Sequence, residues 1–169
     1  MRLICICFFI VNLVYSQKDV FAIARNGSLE EMKVLFEKDP NCVNEVSSYG
    51  FSPLILACYR GNFEVAKYLI TTVKDVNFQS PEGTALMAAV MRSNTELIHL
   101  LIDKKSNVDA TSKTGVTALM LAIQFKNIEV IKILLQHKAN KILKDNEGKT
   151  AFEYAVITND DTIIQLLKN

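Results

Sequence analysis

GVTALMLA, residues 115–122, decides the fold, because close variants of it recur along the chain: GFSPLILA at 50–57, GTALMAA at 83–89 and GKTAFEYA at 148–155. The closing alanines stand at 57, 89, 122 and 155, intervals of 32, 33 and 33 residues, and a fainter copy, DVFAIA, places Ala24 another 33 residues upstream. A period of this length marks a chain built by stacking one supersecondary unit on the next, since a unit so short cannot bury an apolar face alone. Within the stretch, Gly115 suits a turn that needs positive φ, Thr117 suits a helix N-cap, and the leucine and alanine positions suit a core.

Residues 47–79 form the fullest copy. Gly50 marks the turn, Ser52 can cap the next helix, Pro53 falls at its first position where a missing N–H is harmless, and Gly61 can close it left-handed. Val65, Ala66, Leu69 and Ile70 then give a second helix its inward face. Upstream, 17–46 reads as an opening cap with one helix over 20–25, a break at Asn26-Gly27 and a second helix over 28–38. Ser28 and Glu31 fit a capping box there, Leu29, Met32, Leu35 and Phe36 supply the apolar face, and Asp39-Pro40-Asn41 is a turn signal. Downstream, 80–111 lacks one residue between Gly83 and Thr84, which predicts a shorter hairpin with helices still in register, and Leu97, Ile98, Leu101 and Ile102 repeat the inward face. Val130, Ile131, Leu134 and Leu135 do so in 112–144. In 145–169 the pattern runs through Ile163, Ile164 and Leu167 and stops at Lys168, as expected of a closing cap.

These residues resemble the ankyrin repeat, whose unit is a β-turn followed by two antiparallel helices and whose hallmark is similar to G-x-T-P-L-H-x-A-A. The resemblance covers essentially all of 18–169, with second helices such as GNFEVAKYLI (61–70) and KNIEVIKILL (126–135) following the signatures. It implies an all-α ankyrin-repeat solenoid of about five units including both caps, with helix-turn-helix units joined by β-hairpin-like loops. The chain departs from the hallmark in three ways. Only Pro53 keeps the proline, with Ala85, Ala118 and Ala151 at the sister positions. The histidine is replaced by Ile55, Met87, Met120 and Glu153. The glycine ending the first helix becomes Ser93, Lys126 and Asn159, and a non-glycine residue held left-handed costs roughly 1–2 kcal/mol, so stability below that of an idealised array is expected.

Half of the 169 residues are hydrophobic, enough for a sizeable core, but they are unevenly spread. LICICFFIVNLV (3–14), preceded by Arg2 and followed by Val14-Tyr15-Ser16, has the layout of a secretory signal peptide cleaved after Ser16. A membrane anchor would need roughly 20 apolar residues, whereas Ser16, Gln17, Lys18 and Asp19 end this run sooner; a buried cap helix would show polar positions at helical period. The expectation is export to the periplasm or the extracellular space, with no stable membrane insertion after cleavage. Removing 1–16 takes Arg2 and no acid, so the 19 basic residues become 18 against 18 acidic ones. Without a basic excess or stripe, no nucleic-acid partner is expected. Cys42 and Cys58 remain; an exported chain could oxidise them, but Cys58 beside Ala57 suits a free buried thiol on a packed helix face.

Nothing converges as a catalytic or metal-ligating set. His99 and His137 sit on second helices beside positions that are lysine elsewhere, and no HExxH, CxxC, GxSxG or phosphate-cradling glycine run occurs. Asp160-Asp161 opens a helix, where acids favour the dipole. No enzyme activity, cofactor or metal ion is expected, and the chain is expected to be monomeric. By the resemblance, protein partners bind the concave side formed by hairpin tips and first helices. The residues displayed there are Tyr49, Phe51, Glu82, Lys113, Val116 and Lys149 at the tips, and the pairs Tyr59-Arg60, Met91-Arg92 and Gln124-Phe125 just after each signature. Aromatic residues and arginine are the usual anchors of interfaces; Tyr59, Met91 and Phe125 could equally cover the core between units. The sequence thus points to an exported protein-binding module, with a regulator or inhibitor of an exported enzyme (envelope or oxidative stress) and a structural spacer as rival readings.

Overall fold

Each helix begins at a residue able to cap it, and the caps divide the chain into pairs. The computed structural model describes residues 19–168, so the signal peptide expected over 1–16 lies outside the described residues. The helices are α1 (Val20–Asn26), α2 (Leu29–Lys38), α3 (Pro53–Arg60), α4 (Phe63–Thr72), α5 (Ala85–Met91), α6 (Thr95–Asp103), α7 (Ala118–Gln124), α8 (Ile128–Gln136), α9 (Ala151–Thr158) and α10 (Asp161–Lys168), with a short 3-10 turn at Cys42–Asn44. They form five consecutive pairs, an all-helical repeat solenoid as the resemblance implies.

Ser52, Thr84 and Thr117 open α3, α5 and α7 by accepting backbone N–H bonds at 3.3, 3.4 and 3.3 Å. Asn94 and Asn127 open α6 and α8 with side-chain oxygens 2.8 and 3.1 Å from Leu97 and Val130 N–H. The capping box of Ser28 and Glu31 is present, with bonds of 3.1 and 2.7 Å. Asp160 accepts from the Thr162 and Ile163 N–H groups, the role of an acid at a helix start.

Helix ends follow one rule as well. After α3, the Asn62 N–H reaches back to the Ala57 carbonyl and the Gly61 N–H to Cys58, which requires Gly61 to be left-handed at φ 78°. Ser93, Lys126 and Asn159 hold the same conformation at 52°, 53° and 52°, as the repeat alignment predicts for non-glycine residues. Lys105 and Lys138 close α6 and α8 in the same way, at 66° and 62°, which the sequence reading did not identify.

The tips stack through their backbones. Ser112 N–H bonds to the Val116 carbonyl and Gly115 N–H to Ser112, whereas in the preceding unit Ser80 and Gly83 exchange both bonds directly. The missing residue therefore shortens that hairpin and leaves α5 in register. Lys113 N–H donates to Pro81 O at 2.9 Å, and Asn146 N–H to Thr114 O at 3.0 Å. A Cβ on Gly115 would stand 2.9 Å from the Asn146 backbone nitrogen, so this glycine permits the next tip to approach as well as supplying φ 79°.

Successive first helices are in more extensive contact than successive second helices. Ala57, Ala89, Ala122 and Ala155, all fully buried, allow that close approach. Behind them Leu69, Leu97, Leu101 and Leu134 are sealed from solvent, each burial contributing about 1.5–3 kcal/mol. In α8, Ile133 is buried and Leu135 only half-buried, which rotates the inward face slightly from that expected.

Side chains also tie unit to unit outside the core. Asn44, Asn77 and Asp109, one period apart, accept backbone N–H bonds from Lys74, Asn107 and Asn140 at 2.9, 2.6 and 2.8 Å. Lys67 on α4 pairs with Glu64 and, across to α6, with Glu96 at 2.9 Å. Asn62 makes no capping bond to α4; its amide donates instead to the carbonyls of Ile23, Ala24 and Gly27 at the end of α1.

At the far end, α10 turns polar residues outward, in keeping with a closing cap. Its partner α9 does not. Leu119 and Ile123 of α7 are covered by α9, but Phe152 and Val156, one period later, are exposed, and Ile157 is 67% exposed. Among the described residues, no helix is long and apolar enough to cross a membrane.

Candidate functional site

The expected surface residues separate into two places. The first is a groove between the second and third units. Its floor is Ile55, Leu56, Thr84 and Ala88, buried residues of α3 and α5 and the cap between them. Tyr49 and Phe51 rise on one side from the second tip, Glu82 from the third, and Tyr59, Arg60 and Met91 from the helix ends. This hollow encloses about 330 Å³. A second hollow of about 300 Å³ adjoins it, lined by Tyr59, Arg60, Met91 and Arg92. The sequence-predicted Tyr49, Phe51, Tyr59, Arg60, Met91 and Arg92 therefore form one continuous site.

Local backbone explains why these side chains converge. Tyr59-Arg60 and Met91-Arg92 occupy the last turns before left-handed residues, so the chain reverses directly beyond them and leaves them projecting at the rim. Gly61 adds a second reason to be glycine, because a Cβ there would meet the Arg92 guanidinium at 3.1 Å. Arg92 thus lies across the C-terminal end of α3, where cations favour the carbonyl end of a helix. Tyr59 is 49% exposed and Met91 39%, so each covers core with one face and offers the other to solvent.

The second place is near α9. Gln124 and Lys149 line a hollow of about 440 Å³ together with Lys126, Glu147, Tyr154, Ile157 and Thr158. Part of its polar wall is internally paired: Lys149 pairs with Glu147, and the Tyr154 hydroxyl donates to Asp145 at 2.8 Å. Hydrogen bonds from the Lys149 backbone, then from Tyr154, hold the Asp145 carboxyl below its usual range against the opposing effect of burial. Burial, followed by the bond to Asp145, pushes the Tyr154 phenol up to about 12. Lys113, Val116 and Phe125 join neither hollow: Lys113 is exposed at its tip, Val116 is half-buried in its hairpin, and Phe125 caps α7 with half its surface open.

Arg25 was missed as a member of the groove. It lies on α1, which is one residue shorter between its caps Asp19 and Ser28 than α3 is between Ser52 and Asn62. Counting back from the second-helix caps instead of forward from the alanines aligns Arg25 with Tyr59, and that was the available signal. His99 and His137 are exposed, and no group of three or more potential metal ligands occurs among the described residues. Cys42 and Cys58 are buried free thiols, and burial pushes the Cys58 thiol up to about 12.

The model of ankyrin repeats matches three overlapping stretches, 20–112, 70–145 and 86–169. The chain belongs to the ankyrin repeat family. Among similar proteins, the ankyrin repeat and SAM domain-containing protein 6 of Rattus norvegicus is 34% identical over 101 residues, 59% of this chain and 11% of that protein. The ankyrin repeat and SOCS box protein 11 of Homo sapiens is 30% identical over 102 residues, 60% of this chain and 31% of that protein. The ankyrin repeat and KH domain-containing protein mask of Drosophila melanogaster is 41% identical over 64 residues, 38% of this chain and 2% of that protein. The ankyrin chain thus spans a minor part of each relative's length. Ankyrin repeats serve as protein–protein interaction modules, and nothing in the similarity points to catalysis.

Proposed function

We propose that this ankyrin chain is an exported, non-enzymatic binding module that holds a protein partner in the groove between its second and third units. The observation that carries this reading is the gathering of Tyr49, Tyr59, Arg60, Met91 and Arg92 around an apolar floor. Tyr49 is 78% exposed at its tip. A tyrosine so placed brings a large, stiff contact area at low entropic cost. Replacing Tyr59 and Arg60 together with alanine should abolish partner capture while the helical circular dichroism signal survives; unchanged capture would remove the groove as the site.

Export rests on the sequence of residues 1–16. The expected product is a chain beginning at Gln17, recovered outside the cytoplasm. Cytoplasmic protein with Met1 intact, seen by mass spectrometry, would contradict it.

A further inference from the structure

We infer that the segment this groove recognises is acidic, with a large apolar side chain placed beside its carboxylates; the inference rests on the binding site proposed above. The mature chain is charge-balanced, yet the groove is not. Arg25, Arg60 and Arg92 face it or border it, against the single carboxylate of Glu82. Among the described residues none of these three arginines makes an ion pair, although Lys33, Lys67 and Lys149 all do. An incoming anion would therefore meet guanidinium groups that have no carboxylate partner of their own, and its charge would be attracted rather than already compensated.

The two hollows divide the task. The one floored by α3 and α5 is apolar at its base and large enough for a leucine or phenylalanine side chain. The adjoining one is walled by Arg60 and Arg92, whose planar forks match a carboxylate in a bidentate manner. Arg92 lies over Gly61 at the end of α3, which sets its guanidinium beside the second hollow. Glu82 stands at the tip end of the groove, away from Arg92, and sets the polarity: the apolar anchor sits toward the tips and the acids toward the helix ends.

The test uses two fluorescein-labelled synthetic peptides, one carrying a leucine-phenylalanine pair followed by aspartate and glutamate, the other with its acids replaced by lysine. With the mature chain, fluorescence polarisation should show the acidic peptide binding at least about tenfold more tightly, with affinity falling as salt rises from about 0.05 to 0.5 M. R60E with R92E should reverse the preference, a readout that partial misfolding would not produce; Arg60→Gln with Arg92→Gln, checked by melting temperature, provides a milder pair. Equal affinity for both peptides, indifference to salt, or an oligothymidine binding as tightly as the acidic peptide would overturn the inference. Capture of the native partner separates the two levels. If Tyr59→Ala abolishes capture while the glutamine pair and high salt leave it intact, the acidic segment is wrong and the groove stands. If Tyr59→Ala also leaves capture intact, both fall.

Discussion

Lys105 and Lys138 show what a single residue costs when the repeat demands a backbone it does not favour. Each sits left-handed so that the following N–H can reach Leu101 or Leu134, a bond of 3.0 Å in both cases. The strain is about 1–2 kcal/mol per residue, and glycine's greater freedom in the unfolded chain returns part of it, so Lys105→Gly or Lys138→Gly should each stabilise the fold by about 0.5–1 kcal/mol in urea titration. A loss of stability would show that the lysine side chains contribute more than the strain removes. Cys58 gives a residue-scale prediction in pH. Burial moves its thiol from 9.0 to about 12, so as pH rises the unfolded chain releases this proton first. Between about 9 and 12 the unfolded state therefore binds fewer protons than the native one, and stability declines with pH. Cys42 shifts in the same direction through burial, then Asp39 and Glu45. Native protein at pH 8 should resist alkylation at Cys58 until it unfolds; modification at the rate of a free peptide thiol would contradict the buried placement.

At the scale of elements, Asn62 joins the opening pair to the rest of the stack through three carbonyls of the α1 end and its following loop. Asn62→Ala leaves those carbonyls without this donor, at a cost of about 1–3 kcal/mol. In a stack where each unit contacts only its neighbours, that loss stays local. Hydrogen exchange should accelerate in α1 and α2 and not in α7 to α10; uniform acceleration would show a cooperative unit spanning the chain. The sequence made the helix pairs legible because Ser52, Thr84 and Thr117 recur with the apolar positions that follow them, and local capping and helical period are written in adjacent residues. It did not reveal the task of Asn62, since its sisters Asn94 and Asn127 cap their own helices and only the short α1 redirects this one. Nor did it reveal Arg25, because a one-residue change in helix length shifts the alignment of everything before Ser28. The exposure of Phe152 and Val156 was hidden for a related reason: apolar residues at those positions are buried in α7 only by the unit that follows.

At the scale of the whole molecule, repetition builds the scaffold and departure from repetition builds the surface. Thr117, Leu119 and Ala122 of the signature are buried, so they stack units and are not available to a partner. Tyr59-Arg60 and Met91-Arg92 differ from Gln124-Phe125 at the same places, and only the first two pairs line the groove between the second and third units. The most direct measurement is hydrogen–deuterium exchange on residues 17–169 with and without a captured partner. Binding in the groove predicts slowed exchange at the second and third tips and at the C-terminal ends of α3 and α5, with α8 and α10 unchanged. Protection confined to the second helices or to the α9–α10 end, with those tips exchanging as in the free chain, would contradict it.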